Sequence, residues 1–160
     1  MMKRKLLPRA VLVAILLALP AAADAPRNPP QYAQFDSDSD HIMDNFTLLD
    51  WDRRAIVRNV TYPLGDSGCS FLASPARLPS VKELLTILDE EPHNEYEFGK
   101  VVPKMIDALA FADTPVDLPY WSSSPAPGTN MVWTLSFRTG LMQAMSTTDP
   151  QAKANTRCVR

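Results

Sequence analysis

The sequence predicts an α+β domain, on three observations. Arg77–Leu88 carries the cap and apolar spacing of an amphipathic helix, Pro103–Phe111 offers a second and less regular helical face, and Val132–Met145 alternates like a strand that turns and returns. Both kinds of signal fall within one short chain, and the elements follow in order.

The chain opens with a leader. Lys3, Arg4, Lys5 and Arg9 precede an apolar run from Ala10 to Leu19, and Ala21-Ala22-Ala23 or Ala23-Asp24-Ala25 supplies small-x-small cleavage sites. Cleavage after Ala23 avoids leaving Pro26 directly after the cut, so residues 1–23 are expected to be a signal peptide. The apolar run is too short to span about 30 Å of hydrocarbon. Nothing later in the chain is apolar enough to do so, and no membrane span is expected after cleavage.

Residues 24–41 are rich in Pro, Asn, Asp and Ser without apolar periodicity and are expected to form a flexible acidic lead-in. Asp36, Asp38 and Asp40 have the first spacings of a calcium loop. His41 stands where the glycine belongs and Thr47 where the terminal glutamate belongs, so no metal site is assigned. The ordered domain is expected over 42–160. Ile42–Arg54 suits one or two short strands with a turn at Asp44-Asn45. Asn59–Ala76 reads as turn-rich, because Pro63, Gly65 and Gly68 interrupt a long helix. Asn45-Phe46-Thr47 and Asn59-Val60-Thr61 match glycosylation sequons, a pattern common by chance.

The main helix follows. Ser80 is placed to cap it and Glu83 to reach back to the Ser80 amide, while Val81, Leu84, Leu85 and Leu88 define one apolar stripe. It should stop before Pro92. In the second helix, from Pro103 to Phe111, Ile106, Leu109 and Ala110 form the packed face. Beyond it, Trp133, Leu135 and Phe137 alternate with Thr134 and Ser136, Arg138-Thr139-Gly140 turns the chain, and Leu141–Met145 returns as the partner strand. Thr156–Arg160 is expected as a short final strand.

Cys69 and Cys158 are the only cysteines. In the oxidising compartment that the leader implies, they are expected to form a disulfide closing a loop of about 90 residues. Cleavage removes four basic and no acidic residues, leaving twelve Lys and Arg against eighteen Asp and Glu. A formal charge of −6 without basic clusters argues against nucleic acid and anionic membranes as partners.

Taken in order, DNFTLLDW (44–51), the Cys69 region, RLPSVKELLTIL (77–88), IDALAF (106–111), YWSSS (120–124), WTLSFRTG (133–140) and the terminal RCVR (157–160) resemble the Lcl C-terminal domain family, named for a collagen-like adhesin of Legionella. The resemblance covers about residues 42–160. It implies a C-type-lectin-like fold related to sulfatase-modifying domains, with two helices flanking a small twisted antiparallel sheet. The N- and C-terminal strands would lie together, and long loops would carry any ligand site. It also implies that Cys69–Cys158 ties the region before the main helix to the final strand. This chain departs from the family pattern at Ala76, where tryptophan is usual, at Leu48 and Asp50, and around Cys69, where Pro63 and Gly65 break the helix-like spacing.

Catalysis is not expected. The cysteines are committed to the disulfide, and His41 and His93, both expected in loops, have no nucleophile or metal-ligand partner at a recognisable spacing. Glu91-Pro92-His93-Asn94 approaches a lectin calcium motif, but His93 interrupts it and it follows a helix end. No cofactor is implied. Trp121 and Trp133 are expected in the core rather than against sugar rings. The candidate ligand-binding residues are Ser122, Ser123, Asn130 and Arg138, with the loop Ser124–Asn130 as the exposed variable surface. The functional expectation is a secreted, periplasmic or cell-surface module, not an enzyme, that recognises a glycan or surface protein. The alternatives are a structural envelope protein and a degenerate relative of sulfatase-modifying enzymes.

Overall fold

The computed structural model describes residues 30–35, 38–72, 75–97, 99–111 and 113–160; the expected signal peptide lies outside them. Among these residues there are two helices and ten strands, and the strands form three sheets. Strands β1 (Tyr32–Phe35), β2 (Asp38–Asp44) and β3 (Leu49–Asp52) make an antiparallel meander. The largest sheet has five strands in the order β4 (Val57–Val60), β10 (Ala154–Thr156), β7 (Tyr120–Pro125), β8 (Met131–Leu135) and β9 (Met142–Ser146). Its β10–β7 pair is parallel and the others are antiparallel. A hairpin of β5 (His93–Glu97) and β6 (Lys100–Lys104) is the third sheet.

This architecture corrects the expected one, two helices flanking a single small sheet. The fold is mainly β, and its helices, α1 (Tyr62–Leu72) and α2 (Val81–Thr86), are short. The N- and C-terminal strands are not neighbours: β1 is an edge of the meander, whereas β10 sits inside the five-stranded sheet. Only the last residues, 158–160, run beside β3, where Asp50 and Arg160 exchange backbone hydrogen bonds of 3.3 and 2.9 Å.

The expected helix at Pro103–Phe111 is absent. Val101 and Val102, whose branched side chains favour extended backbone, pair with Tyr96 and Glu95 in the hairpin. Downstream, Asp107 captures the amides of Leu109 and Ala110 through its own carboxylate (2.8 and 3.0 Å), closing a single turn that does not propagate. Conversely, a helix forms over Tyr62–Leu72, where turns were expected. Pro63 sits in its first turn, where its missing N–H is harmless. Gly65 and Gly68 are there for close approach: an added Cβ would fall 2.7 Å from Thr156 Oγ1 at Gly65, and 2.7 Å from Val57 Cγ2 at Gly68. The two glycines let the helix backbone lie directly on β10 and β4.

The predicted start of α2 is present. Ser80 Oγ accepts from the Glu83 amide (3.2 Å) and Glu83 accepts from the Ser80 amide (2.7 Å). The helix ends at Thr86, earlier than expected, and its buried side is Leu84 with Ile87 just beyond, while Leu85 faces outward. The expected β8–β9 hairpin is present, with Trp133 opposite Ala144, and Gly140 takes φ +69° in the turn. Strands β1 and β2 fall within or begin within the stretch read as lead-in. Tyr32 of β1 anchors there by an edge-to-face contact with Phe111 at 5.1 Å.

The middle of the five-stranded sheet is buried on both faces. On one side Tyr120 and Leu135 join Trp51, Leu84, Phe111, Phe137 and Val159 in a large core. On the other, Trp121 and Val132 pack with Cys69 and Cys158 beneath α1. Successive residues Tyr120 and Trp121 therefore serve opposite cores, as strand geometry requires. The disulfide Cys69–Cys158 is formed, with both residues fully buried and Cα atoms 5.5 Å apart. It joins α1 to the segment after β10 across 89 positions of sequence, a closure that contributes about 4–5 kcal/mol in the chain-entropy model.

Candidate functional site

The terminal RCVR is turned inward at every residue. Arg157 and Val159 enter the large core, Cys158 enters the smaller one, and Arg160 reaches a surface cleft. This alternation places one cation in the core and one at its rim.

The cleft has a volume of about 350 Å³ and is lined by Asp40, His41, Asp52, Arg54, Ala55, Ile56 and Arg160. Strands β2 and β3 position its polar wall, since His41 and Asp52 face each other in register. Asp52 Oδ1 lies 3.1 Å from His41 Nδ1 and 3.1 Å from Arg160 Nη1. Arg160 Nη1 also donates to His41 Nδ1, because a guanidinium only donates. Asp50 sits 3.8 Å from the same guanidinium. Burial pushes the Asp52 carboxyl above its ordinary pKa, against the opposing pull of Arg160 and His41. Its second oxygen, Oδ2, is buried without a partner among the described residues. Two carboxylates, an imidazole and two guanidiniums equip the cleft for ion pairing and hydrogen bonding, and its lining contains no hydroxyl or thiol nucleophile.

His41 and His93 both lie in strands, β2 and β5, rather than in loops. His93 Nε2 is 2.8 Å from Asp89 Oδ2, where the incomplete lectin-like motif begins the hairpin. Asp36 of the calcium-like spacing is outside the described residues, and Asp40 belongs to a strand. Among the described residues no group of three or more His, Cys, Asp or Glu could hold a metal ion.

The four candidate ligand residues do not converge. Ser122 is buried, donating to the Trp133 carbonyl at 2.6 Å. Ser123 is exposed but donates its amide to the Pro79 carbonyl at 2.8 Å, and Ser124 Oγ accepts the first-turn amide of Val81 at 2.9 Å. YWSSS thus holds α2 against the sheet. Asn130 precedes β8 and Arg138 follows it, so the whole five-residue strand, about 17 Å long, lies between them. Both are exposed. The loop 124–130 is closed by a 2.9 Å bond from the Ala126 amide to the Met131 carbonyl, with residues 127–130 exposed. Asn130 itself takes φ +56° and its carbonyl receives the Thr147 amide at 2.8 Å. Of the tryptophans, Trp121 is fully buried and donates Nε1–H to the Val60 carbonyl at 2.9 Å. Trp133 remains partly exposed.

The cleft was not visible in the sequence. Its one signal was the terminal Arg160, a charged residue two positions from a buried cysteine.

These features define a disulfide-stapled, mainly β domain that presents short, internally bonded loops and a charged cleft. The chain belongs to the Lcl C-terminal domain family, whose model matches residues 40–160, and that family is associated with adhesins. No curated protein matches the chain. No helix among the described residues is long and apolar enough to cross a membrane.

Proposed function

We propose that the chain is an exported adhesion module, not an enzyme, that recognises a glycan or a surface protein through its exposed loops, with loop 124–130 foremost. Membership of residues 40–160 in an adhesin-associated family carries this reading. The disulfide supports export, because such bonds persist in oxidising compartments, and the N-terminal 23 residues have the composition of a leader. The loop suits recognition for a physical reason. Its backbone is fixed at both ends by the β7–β8 ladder, so ordering it on binding costs little, while Pro127, Thr129 and Asn130 remain open to a ligand. Ser122 acts as a structural hydroxyl in this reading, and Arg138 belongs to a separate surface.

The test is a glycan array together with a pulldown from whole cell envelopes, run on the oxidised chain and on a Pro127→Ala, Thr129→Ala double variant. Both positions are exposed, so folding is preserved. Capture by the parent chain and its loss in the variant supports the reading. Equal capture by both moves the site elsewhere, and no capture by either favours a purely structural envelope role.

A further inference from the structure

We propose that β9 is the seam of a two-fold dimer, in which the five-stranded sheets of two copies of this chain join edge to edge. Strand β9 ends the sheet and pairs with β8 alone among the described elements. Its hydrogen-bonding phase follows from the bonds at its two ends. The Ser136 amide donates to the Leu141 carbonyl, and the Thr147 amide to the Asn130 carbonyl. Residues 141, 143, 145 and 147 therefore turn their backbone groups toward β8. Met142, Ala144 and Ser146 turn theirs outward.

An antiparallel pair of identical strands centred on Ala144 satisfies all of these outward groups. Ala144 exchanges two bonds with Ala144 of the second copy, and Met142 exchanges two with Ser146 in each direction, giving about six in total. The opposed side chains are small or flexible. No lysine, proline or other charge blocks the edge from Leu141 to Thr148. Of the other edge strands, β4 carries Arg58 and the β5–β6 hairpin carries Glu95, Lys100 and Pro103.

Charge complementarity selects a second copy as the occupant. The turn before β9 exposes Arg138 and the turn after it exposes Asp149. An antiparallel two-fold sets the first end of one strand beside the second end of the other, so each Arg138 approaches Asp149 of the second copy. Both pairs form at once. The same pairing extends a sheet face on which Trp133 and Met131 are only partly covered, and Met142 and Ala144 are exposed.

Sedimentation of the full oxidised chain at concentrations up to about 100 µM tests the seam. A reversible dimer is expected. Ala144→Pro should yield a monomer with an unchanged melting temperature, because its N–H faces outward and the β8–β9 ladder does not use it. Ala144→Lys is the companion variant should proline disturb folding. Arg138→Glu should weaken the dimer about tenfold, and Arg138→Glu with Asp149→Arg should restore it. A wild-type monomer throughout this range overturns the proposal. So does a dimer that survives both Ala144 variants, or an open-ended assembly in place of a closed pair.

Discussion

The guanidinium carbon of Arg157 lies 4.9 Å from the ring centroid of Phe111, and both residues are fully buried. Phe111 also receives the edges of Tyr32 at 5.1 Å and Trp51 at 6.5 Å, so one ring links the meander to the C-terminal segment. Arg157 donates to the Asp52 carbonyl and, at 2.6 Å, to Thr114 Oγ1, while Tyr120 lies 5.9 Å from it on another side. The charge is thus held by a carbonyl, a hydroxyl and two aromatic rings rather than by a direct carboxylate pair. Burial lowers its pKa, with Tyr120 and Asp52 opposing that trend.

Such a site is specific to the planar fork of arginine. Arg157→Lys keeps the charge but loses the stacking and one of the two donors, and should cost about 2 kcal/mol of stability. Arg157→Ala also leaves a cavity and two unpaired acceptors, and should cost about 4 kcal/mol. Urea denaturation of the oxidised variants measures both. A lysine variant within about 0.5 kcal/mol of wild type would remove the stacking argument.

Glycine in the helix behaves in the opposite way from a solvent-facing glycine. On an exposed helix Gly→Ala stabilises by about 1 kcal/mol. At Gly65 and Gly68 the new methyl would meet Thr156 and Val57 at 2.7 Å. Each alanine variant should therefore destabilise by about 1–3 kcal/mol through overpacking. Gly65→Ala should be the worse of the two, because the Trp121 ring stands 3.0 Å from the same point. Thermal melting of the two variants, compared with Ser67→Ala on the partly exposed side, separates packing from propensity.

What the sequence reveals divides along the range of the interactions involved. The capping box of α2 and the β8–β9 hairpin were legible because each is specified by residues close together in the chain: Ser80 with Glu83, and Arg138-Thr139-Gly140 between alternating runs. The disulfide was legible by elimination, since Cys69 had one possible partner. Helix α1 was not, because its glycines look like breakers until Thr156 and Val57, distant in sequence, are seen against them. The Pro103–Phe111 error has the same origin. Its helical spacing is real, but Val101 and Val102 pair across the hairpin with Tyr96 and Glu95, and Asp107 closes the turn locally. The cleft at His41, Asp52 and Arg160 joins residues more than a hundred positions apart, so no local pattern contains it.

Arg77 and Glu83 give a pH signature at the acidic end. Two hydrogen bonds from Arg77, at 2.7 and 2.9 Å, together with the capping bonds around Ser80, hold the Glu83 carboxyl down at about 2, against an ordinary value of 4.5. A depressed folded pKa means that the contribution is fully present above pH 4.5 and is lost as the pH falls toward 2. Arg77 is half exposed, so screening limits this to about 1 kcal/mol. The difference in stability between wild type and Glu83→Gln should shrink across that window and be reduced by salt. A difference constant from pH 6 to pH 2 would show that the cap works without its charge.

Lys104 gives the alkaline counterpart. Its ammonium is buried at the base of the hairpin, 2.5 Å from Glu95 and 2.6 Å from Glu97. Burial opposes the charge, but the two glutamates outweigh it and raise the pKa above 10.5. A raised folded pKa makes the contribution complete below pH 10.5, and it disappears as the pH climbs through the folded value. Lys104→Met alone strands two like charges on one face of β5 and should cost about 2 kcal/mol. Combining it with Glu95→Gln and Glu97→Gln removes the repulsion and should return most of that loss, since replacing a whole buried ion cluster is often near neutral. Denaturation of the single and triple variants at neutral pH decides the matter. A triple variant as unstable as the single one would mean that Lys104 holds the hairpin through the packing of its methylene stem rather than through its charge.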